Sequence, residues 1–199
     1  MDILVATRNT GKLIELRELL GDSGVRLLSP DEAGITDDVD ETGATFEENA
    51  RLKASGYARA AGMYAVADDS GLEVDALNGA PGVFSARYAG AETGFRQKME
   101  TLLAEIKSSG SASRSARFVC VMAFSGPDGN IAFTAEGICS GSIAERPAGT
   151  GGFGYDPIFV PDGYDRTFGE LPPDVKNEVG HRSKAARAFV RYLRDFIGV

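Results

Sequence analysis

Two adjacent aspartates, Asp68 and Asp69, follow directly on an apolar run, Tyr64–Ala67, that predicts a buried strand. Successive residues leaving a strand point to opposite faces, so we expect one carboxylate to face a cleft and the other to hold the turn. Carboxylates beside a Ser70-Gly71 turn are hard oxygen ligands of the kind that magnesium shares with substrate phosphates. The same residue types also dominate ordinary polar turns, and this stretch alone fits both interpretations.

The charges exclude a non-specific binder of nucleic-acid polymers, because the chain has a formal net charge of −8 and such a binder needs a basic face. The charges are also segregated: residues 31–48 carry acids without Lys or Arg, whereas residues 176–194 are rich in both. An acidic segment suits a cation and a basic one suits an anion. The alternative is that the acidic and basic segments are two solvent-exposed faces without a ligand, which holds for most of these side chains.

Cysteine and histidine are too scarce for a zinc site, since the chain has two cysteines and one histidine. Cys120 and Cys139 lie in apolar stretches, which predicts buried thiols. The segment that starts at Met1 has neither a basic region followed by an apolar run nor a span long enough for a membrane. We therefore expect a cytoplasmic protein that does not contact membranes.

The segment Thr7–Lys12 has the composition of a phosphate-binding loop between a strand and a helix. Backbone N–H groups, the helix dipole and an exposed Lys12 ammonium would converge there on an anion. The P-loop motif is excluded, because Ala6 and Leu13 stand where it needs Gly and Ser or Thr. An ordinary strand-to-helix loop is the alternative.

An acidic connection without periodicity, residues 30–43, precedes a helix that begins with the capping box Thr45–Glu48 and stops at Gly62. Connections of this length are usually functional or disordered. Glu41 stands just before the helix, where its carboxylate could reach a metal. Stabilisation of the helix dipole is the commoner role of such a glutamate.

The segment Gly149–Gly154 matches the dinucleotide-binding pattern G-x-G-x-x-G, but a strand at Tyr155–Val160 is predicted after it instead of a helix. We therefore reject a Rossmann site. Glycines around Phe153 and Tyr155 favour an aromatic ring lying against a flat ligand, and a surface loop with a core aromatic is the alternative. His181 begins the last helix, where it either donates to a ligand or caps the helix.

The remaining periodicity predicts further strands and helices. Strands are expected at Ile3–Ala6, at Arg117–Phe124 in the sheet centre, and in a hairpin from Ile131 to Ile143; helices are expected at Lys12–Leu20, around Phe95–Ile106 and at His181–Phe196.

Taken in order, these segments resemble the inosine/xanthosine triphosphate pyrophosphatases, which act on non-canonical purine nucleoside triphosphates. The resemblance rests on Thr7–Lys12, Glu41–Gly43 with Thr45–Ala50, Ala67–Leu72, Gly79–Gly82 with Ser85–Tyr88, Pro147–Phe159, and Lys176 with His181-Arg182. It implies one domain over residues 1–199, of the α/β class, with a long mixed central β-sheet and helices forming two lobes around a nucleotide cleft. It also implies a homodimer.

The resemblance implies magnesium-dependent hydrolysis of ITP, dITP and XTP to the monophosphate and pyrophosphate, which cleanses the nucleotide pool. Asp69 would be the catalytic base, and Glu41 and Asp69 would hold magnesium. The residues implied in substrate binding are Thr7, Arg8, Asn9, Thr10, Gly11, Lys12, Ser70, Phe153, Gly154, Tyr155, Asp156, Lys176, His181 and Arg182. His181 and Arg182 would read the base, and Lys12 would be the charged phosphate contact.

Two positions depart from the family pattern. Gly180 stands where the family usually has Ser, which bears on how tightly the base-reading loop is held, and Arg8 occupies an often small position of the phosphate loop. A catalytically idle nucleotide-binding or regulatory protein is the alternative function. An aspartyl-phosphate phosphatase is disfavoured, because it needs a D-x-D spacing that Asp68-Asp69 lacks.

Overall fold

The computed structural model describes residues 1–21 and 24–198, which form helices around one six-stranded sheet. The strands are β1 Asp2–Val5, β2 Arg26–Leu28, β3 Ala65–Val74, β4 Ser115–Ser125, β5 Ile131–Ile143 and β6 Phe159–Pro161. The helices are α1 Thr10–Leu20, α2 Phe46–Ala61, α3 Phe95–Ser108, α4 Pro173–Val179 and α5 His181–Ile197. The predicted α/β class is confirmed.

The sheet is mixed and has the order β2-β1-β3-β4-β5-β6. β1 runs parallel to β2 and to β3, whereas β6 runs antiparallel to β5. β4 lies inside the sheet and is buried from Phe118 to Ser125, as expected of a strand covered on both faces. Gly126 donates its N–H to the carbonyl of Asn130 at 3.0 Å and closes the predicted hairpin into β5.

β3 is longer than its apolar run predicts. Asp68 to Gly71 belong to the strand and do not form a turn, because the chain continues through the buried Leu72 and Val74. Pairing within the sheet overrides the turn preference of Asp, Ser and Gly at these positions. β1 ends at Val5, opposite Val66, so the two aspartates lie just beyond the carboxyl end of that parallel neighbour.

Side chains cap the first two helices. The Asn9 carboxamide accepts a hydrogen bond from the Lys12 N–H at 3.1 Å, and the Thr45 hydroxyl accepts one from the Glu48 N–H at 3.1 Å. The Glu48 carboxylate accepts from the Ala44 N–H at 2.7 Å, one residue earlier than a capping box predicts. Gly62 ends α2 in a left-handed conformation, which confirms the predicted stop.

Three further elements differ from the sequence prediction. The strand predicted at Tyr155–Val160 is wrong for its first half: Asp156–Ile158 is a 3-10 turn, and β6 begins only at Phe159. Pro157 has no N–H for a strand ladder, which accounts for the late start. β2 and α4 were not predicted, because a three-residue strand and a seven-residue helix are too short to show periodicity.

The chain divides into two compact units. Unit 1 comprises residues 1–69, 120–137 and 182–199, and unit 2 comprises residues 70–119 and 138–181. The core of unit 1 includes Ile3, Leu16, Val66, Phe124 and Phe189, and that of unit 2 includes Leu72, Leu102, Phe118, Ile158 and Phe159. Cys120 and Cys139 are buried, as predicted. The predicted nucleotide cleft stays a prediction.

Within residues 1–21 and 24–198, every helix is too short or too polar to cross a membrane.

Two glycines that end helices provide a test of the backbone conformation. Gly62 has a φ of +62° and Gly21 a φ of −55°, and a Cβ would meet nothing within 4 Å at either. Gly62→Ala should lower the free energy of unfolding by about 1–2 kcal/mol, because a left-handed alanine is strained. Gly21→Ala should leave it unchanged or raise it by up to about 1 kcal/mol. Urea unfolding measures both, and an equal loss in the two variants would contradict the assignment.

Candidate active site

Asp68 is the centre of a buried charge cluster in unit 1. Its side chain is completely buried, and Oδ2 lies 3.1 Å from Nζ of Lys12 and 3.2 Å from both Nε and Nη2 of Arg182. Nη1 of Arg182 pairs with the carboxylate of Glu15. The Cys120 thiol donates weakly to the same Oδ2 at 3.8 Å. Asp68, on strand β3, thus links the start of helix α1 to the start of helix α5.

The cluster keeps Asp68 ionised. Burial alone would raise the pKa of this carboxyl, but the charges of Lys12, Arg182 and Lys53 together outweigh burial and hold the pKa well below its usual range. Burial and the neighbouring Asp68 raise the pKa of the Cys120 thiol, which therefore remains protonated and inert.

Lys12 is not the exposed ammonium that the sequence predicts. Its side chain is only 14% exposed, because it extends from the start of α1 to Asp68 and also donates to the Asp68 carbonyl at 3.4 Å. The expectation failed because the carboxylate partner lies 56 residues away in the sequence. Lys12 therefore has a structural role, its ion pair with Asp68. Its contact with substrate phosphate stays a prediction.

Asp69 faces a different set of partners, as the alternation of a strand predicts. Its Oδ1 lies 2.9 Å from Nζ of Lys53, and its Oδ2 accepts from the Asn49 side-chain amide at 3.3 Å. Nζ of Lys53 lies at the same distance, 2.9 Å, from Oε1 of Glu41. Burial raises the pKa of Asp69 above its ordinary value, against the opposing charges of Lys53 and Lys12. A raised pKa makes this carboxylate a better proton acceptor than an exposed aspartate.

The donor set around Lys53 fits a magnesium ion. Glu41 and Asp69 already converge on one positive charge, the Lys53 ammonium, and Glu41 remains 34% exposed. In the part of the chain that the structure describes, no group of three or more His, Cys, Asp or Glu side chains could hold a metal. Two carboxylates suffice for magnesium, which usually completes its shell with water and substrate phosphates.

Sequence reasoning missed Lys53 and Asn49, which lie on the buried face of α2. Their spacing from Phe46, Ala50 and Tyr57 places them within the apolar stripe, and a polar residue at such a position is a signal that could have found them. The Asn49 carboxamide oxygen accepts from the Gly43 N–H at 2.8 Å. Asn49 therefore connects the segment after Glu41 to Asp69.

The predicted phosphate loop lies at the start of α1. The Thr7 hydroxyl accepts from the Asn9 N–H at 3.2 Å, and Asn9 caps the helix. Thr10 is exposed and Gly11 is half-buried in the first turn of the helix. Arg8 instead contacts the acidic connection, with Nε 2.7 Å from Asp38. The structure brings Thr7–Lys12, Glu41, Asp69 and Arg182 together in unit 1.

Unit 2 holds the remaining predicted residues, centred on Asp156. Its Oδ2 lies 2.6 Å from Nζ of Lys176 and accepts from the Phe153 N–H at 2.8 Å. Nζ of Lys176 also lies 4.4 Å from the centre of the Phe153 ring. The neighbouring Gly152 has a φ of +68°, and a Cβ there would overlap the Asp156 carboxylate. The glycine-rich loop is thus folded around this ion pair.

The other predicted residues of unit 2 are largely inside it. Tyr155 is buried and donates its hydroxyl to the Ser85 carbonyl at 3.1 Å, so its ring belongs to the core. His181 is 4% exposed and stacks on Phe118, with ring centres 4.7 Å apart. Ser70 and Gly154 are half-buried. Binding of the nucleotide by these residues stays a prediction.

Arg182 has a structural role beside the base-reading role implied by the resemblance. Each of its three guanidinium nitrogens meets a carboxylate of Asp68 or Glu15, and the side chain is 3% exposed. Base reading by Arg182 stays a prediction.

The fold and the pair of carboxylates around Lys53, Glu41 and Asp69, define the class: an α/β protein with a paired-carboxylate site. Comparison with known proteins gives the family. The model of the Ham1 family matches residues 3–192, and the chain belongs to that family. This confirms the resemblance seen in the sequence.

Relatives with a named activity match over nearly their full length. The chain is similar to the dITP/XTP pyrophosphatase of Streptomyces coelicolor, with 48% identity covering 98% of each chain. It is also similar to the dITP/XTP pyrophosphatase of Bacillus subtilis, with 44% identity covering 96% of each. Among solved structures, a HAM1 protein from Coxiella burnetii superposes with a TM-score of 0.90 at 39% identity, covering 98% of this chain and 99% of that one.

The two aspartates should respond differently to the same substitution. Asp68→Asn should lower the free energy of unfolding by about 3–5 kcal/mol, because Lys12 and Arg182 would remain as buried cations with one carboxylate fewer. Asp69→Asn should cost much less, since Glu41 still faces Lys53. Chemical denaturation of both variants measures the difference. Equal losses would show that Asp68 does not have the structural role assigned to it.

Proposed function

We propose that this protein hydrolyses ITP, dITP and XTP to the monophosphate and pyrophosphate. The observation that carries the proposal is the convergence of Asp69 and Glu41 on one cation, beside an Asp68 cluster that holds Lys12 at the predicted phosphate loop. The names of the relatives from Streptomyces coelicolor and Bacillus subtilis support dITP and XTP as substrates. Removal of such nucleotides would cleanse the pool used for nucleic-acid synthesis.

Asp69 is the general base in this proposal. Its carboxylate accepts a proton from water as the water oxygen bonds to the α-phosphorus and the bond to the pyrophosphate oxygen breaks. The Thr7–Lys12 loop holds the phosphates through backbone N–H groups at the start of α1. Glu41 and Asp69 would hold magnesium, which would neutralise charge on the phosphates.

The proposal extends to the assembly and location of the protein. We infer a homodimer from the family resemblance and a cytoplasmic location from the substrates, because nucleoside triphosphates are made and consumed there. Light scattering of the purified chain tests the dimer.

An assay of pyrophosphate release separates the enzyme from an idle nucleotide-binding protein. The enzyme releases pyrophosphate and monophosphate in equal amounts from ITP when magnesium is present, and chelation with EDTA abolishes this release. An idle binder would show a nucleotide-dependent rise in melting temperature without any release. That second result would refute the proposed reaction.

Asp69→Asn should reduce turnover of ITP by about 10²–10⁴-fold, because the amide accepts no proton from water. The fold should persist, which circular dichroism and thermal unfolding check in the same preparation. A folded variant with nearly wild-type turnover would remove Asp69 from the base role.

Selectivity should follow the 6-position of the purine. His181 and Arg182 are proposed to present donors, so a 6-oxo group accepts from them whereas the 6-amino group of adenine places donor against donor. Hydrogen-bonding sites of this kind reach selectivities of roughly 10⁴–10⁵. The measurement is kcat/KM for ITP, XTP, GTP and ATP in the wild type and in His181→Phe.

Equal constants for ITP and ATP in the wild type would contradict selectivity at the 6-position. A folded His181→Phe variant, which keeps an aromatic ring but has no donor, would exclude His181 as the source if it keeps the full ratio. GTP shares the 6-oxo group, so its constant reports whether the 2-amino group is also sensed.

A further inference from the structure

The guanidinium of Arg8 binds the acidic connection, defined as residues 30–43, which includes Glu41. Nε lies 2.7 Å from Asp38 and Nη1 lies 2.7 Å from Asp31. Nη2 donates to the carbonyls of Ile35 and Thr36 at 2.8 and 2.9 Å. One planar guanidinium therefore donates to four acceptors within eight residues of the connection. Only an arginine has such a set of donors.

Helix α2 holds the same connection from another side. The hydroxyl of Tyr57 donates to Oδ1 of Asp38 at 2.7 Å, the oxygen that also accepts from Arg8. Hydrogen bonds from Tyr57 and Arg8 lower the pKa of Asp38, which keeps it ionised at neutral pH. Next to Tyr57, Gly56 leaves room for the Val39 side chain, since a Cβ there would lie 2.7 Å from Cγ2 of Val39.

These contacts lie close to the proposed metal ligand. Glu41 follows Asp38 by three residues, and its carboxylate reaches Lys53, which lies one turn before Tyr57 on α2. One helix therefore anchors the connection twice, at Asp38 through Tyr57 and at Glu41 through Lys53. Arg8 closes the same arrangement from the loop after β1.

We propose that Arg8 is a positioning residue, which together with Asp38 and Tyr57 holds the acidic connection so that Glu41 stays beside Asp69. This inference rests on the proposed function. It predicts that Arg8 acts on the proposed metal site through the connection, whereas the family resemblance implies a direct contact with substrate phosphates. A variant of Tyr57 distinguishes the two roles. Tyr57 lies on α2, outside the phosphate loop, and its hydroxyl contacts Asp38.

The experiment compares Arg8→Lys, Tyr57→Phe and the double variant. Each single variant should raise the amide hydrogen exchange of residues 36–41 in nucleotide-free protein by roughly three- to tenfold, as expected for losing a hydrogen bond to a charged group near the surface. The magnesium concentration for half-maximal ITP turnover should rise by a similar factor. The double variant should be less than additive, because both substitutions release Asp38.

Arg17→Lys is the matched control. Arg17 lies on α1, which follows the loop of Arg8, and pairs with a carboxylate of the same connection, Glu32, at 2.5 Å. Glu32 lies nine residues before Glu41 and belongs to the turn that its carboxylate closes with the Ser29 N–H at 2.6 Å. This variant should leave both the exchange of residues 36–41 and the magnesium requirement at wild-type values.

Direct phosphate contact gives a different pattern. Arg8→Lys would then raise KM for ITP without changing exchange or the magnesium requirement, and Tyr57→Phe would be silent, which would overturn the proposal. A wild-type protein that releases no pyrophosphate would refute the proposed reaction. In that case unchanged exchange of residues 36–41 in both variants would still refute the positioning role by itself.

Discussion

The ion pairs of Asp68 are the interaction on which unit 1 depends. A carboxylate without solvent exposure is expensive to bury, and it is tolerated here because Lys12 and Arg182 both approach the same oxygen. The three residues come from the start of α1, from β3 and from the start of α5. Segments far apart in the sequence are thereby held in one arrangement by charge as well as by the apolar core that includes Val66 and Phe189.

Neighbouring aspartates acquire opposite acid–base properties from this arrangement. Asp68 meets two cations and has a lowered pKa, whereas Asp69 shares the single ammonium of Lys53 with Glu41 and has a raised pKa. Two titratable groups with diverging pKa values are a common sign of divided roles in an active site. In this protein the division is between a structural anion and a proposed proton acceptor.

The apolar periodicity was sufficient to predict the long elements. α2, α5, β4 and the hairpin into β5 follow from it, and β4 was correctly placed inside the sheet because both of its faces are apolar. The pair Asp68-Asp69 was also recognised, although as a turn. Local turn preference and the ladder of β3 favour different conformations there, and only the folded sheet decides between them.

The partners of the charged residues could not be predicted, because they depend on contacts between distant segments. Lys12 pairs with Asp68 across 56 residues, and Arg182 pairs with it across 114. The contacts of Arg8 with the acidic connection are closer in sequence, 23 to 30 residues, but the connection has no periodicity from which to read its path. Lys53 was the one member of this set with a readable signal, its position in the apolar stripe of α2.

Gly152 limits which substitutions the glycine-rich loop can accept. A side chain there faces two separate obstacles, the left-handed backbone and the space taken by the Asp156 carboxylate. A substitution of Asp156 would remove the overlap but not the strain of the left-handed backbone, so a second change alone does not make room for a side chain at this position. Any side chain at Gly152 would therefore disturb the pairing of Asp156 with Lys176, so this glycine fixes the ion pair around which the loop is folded.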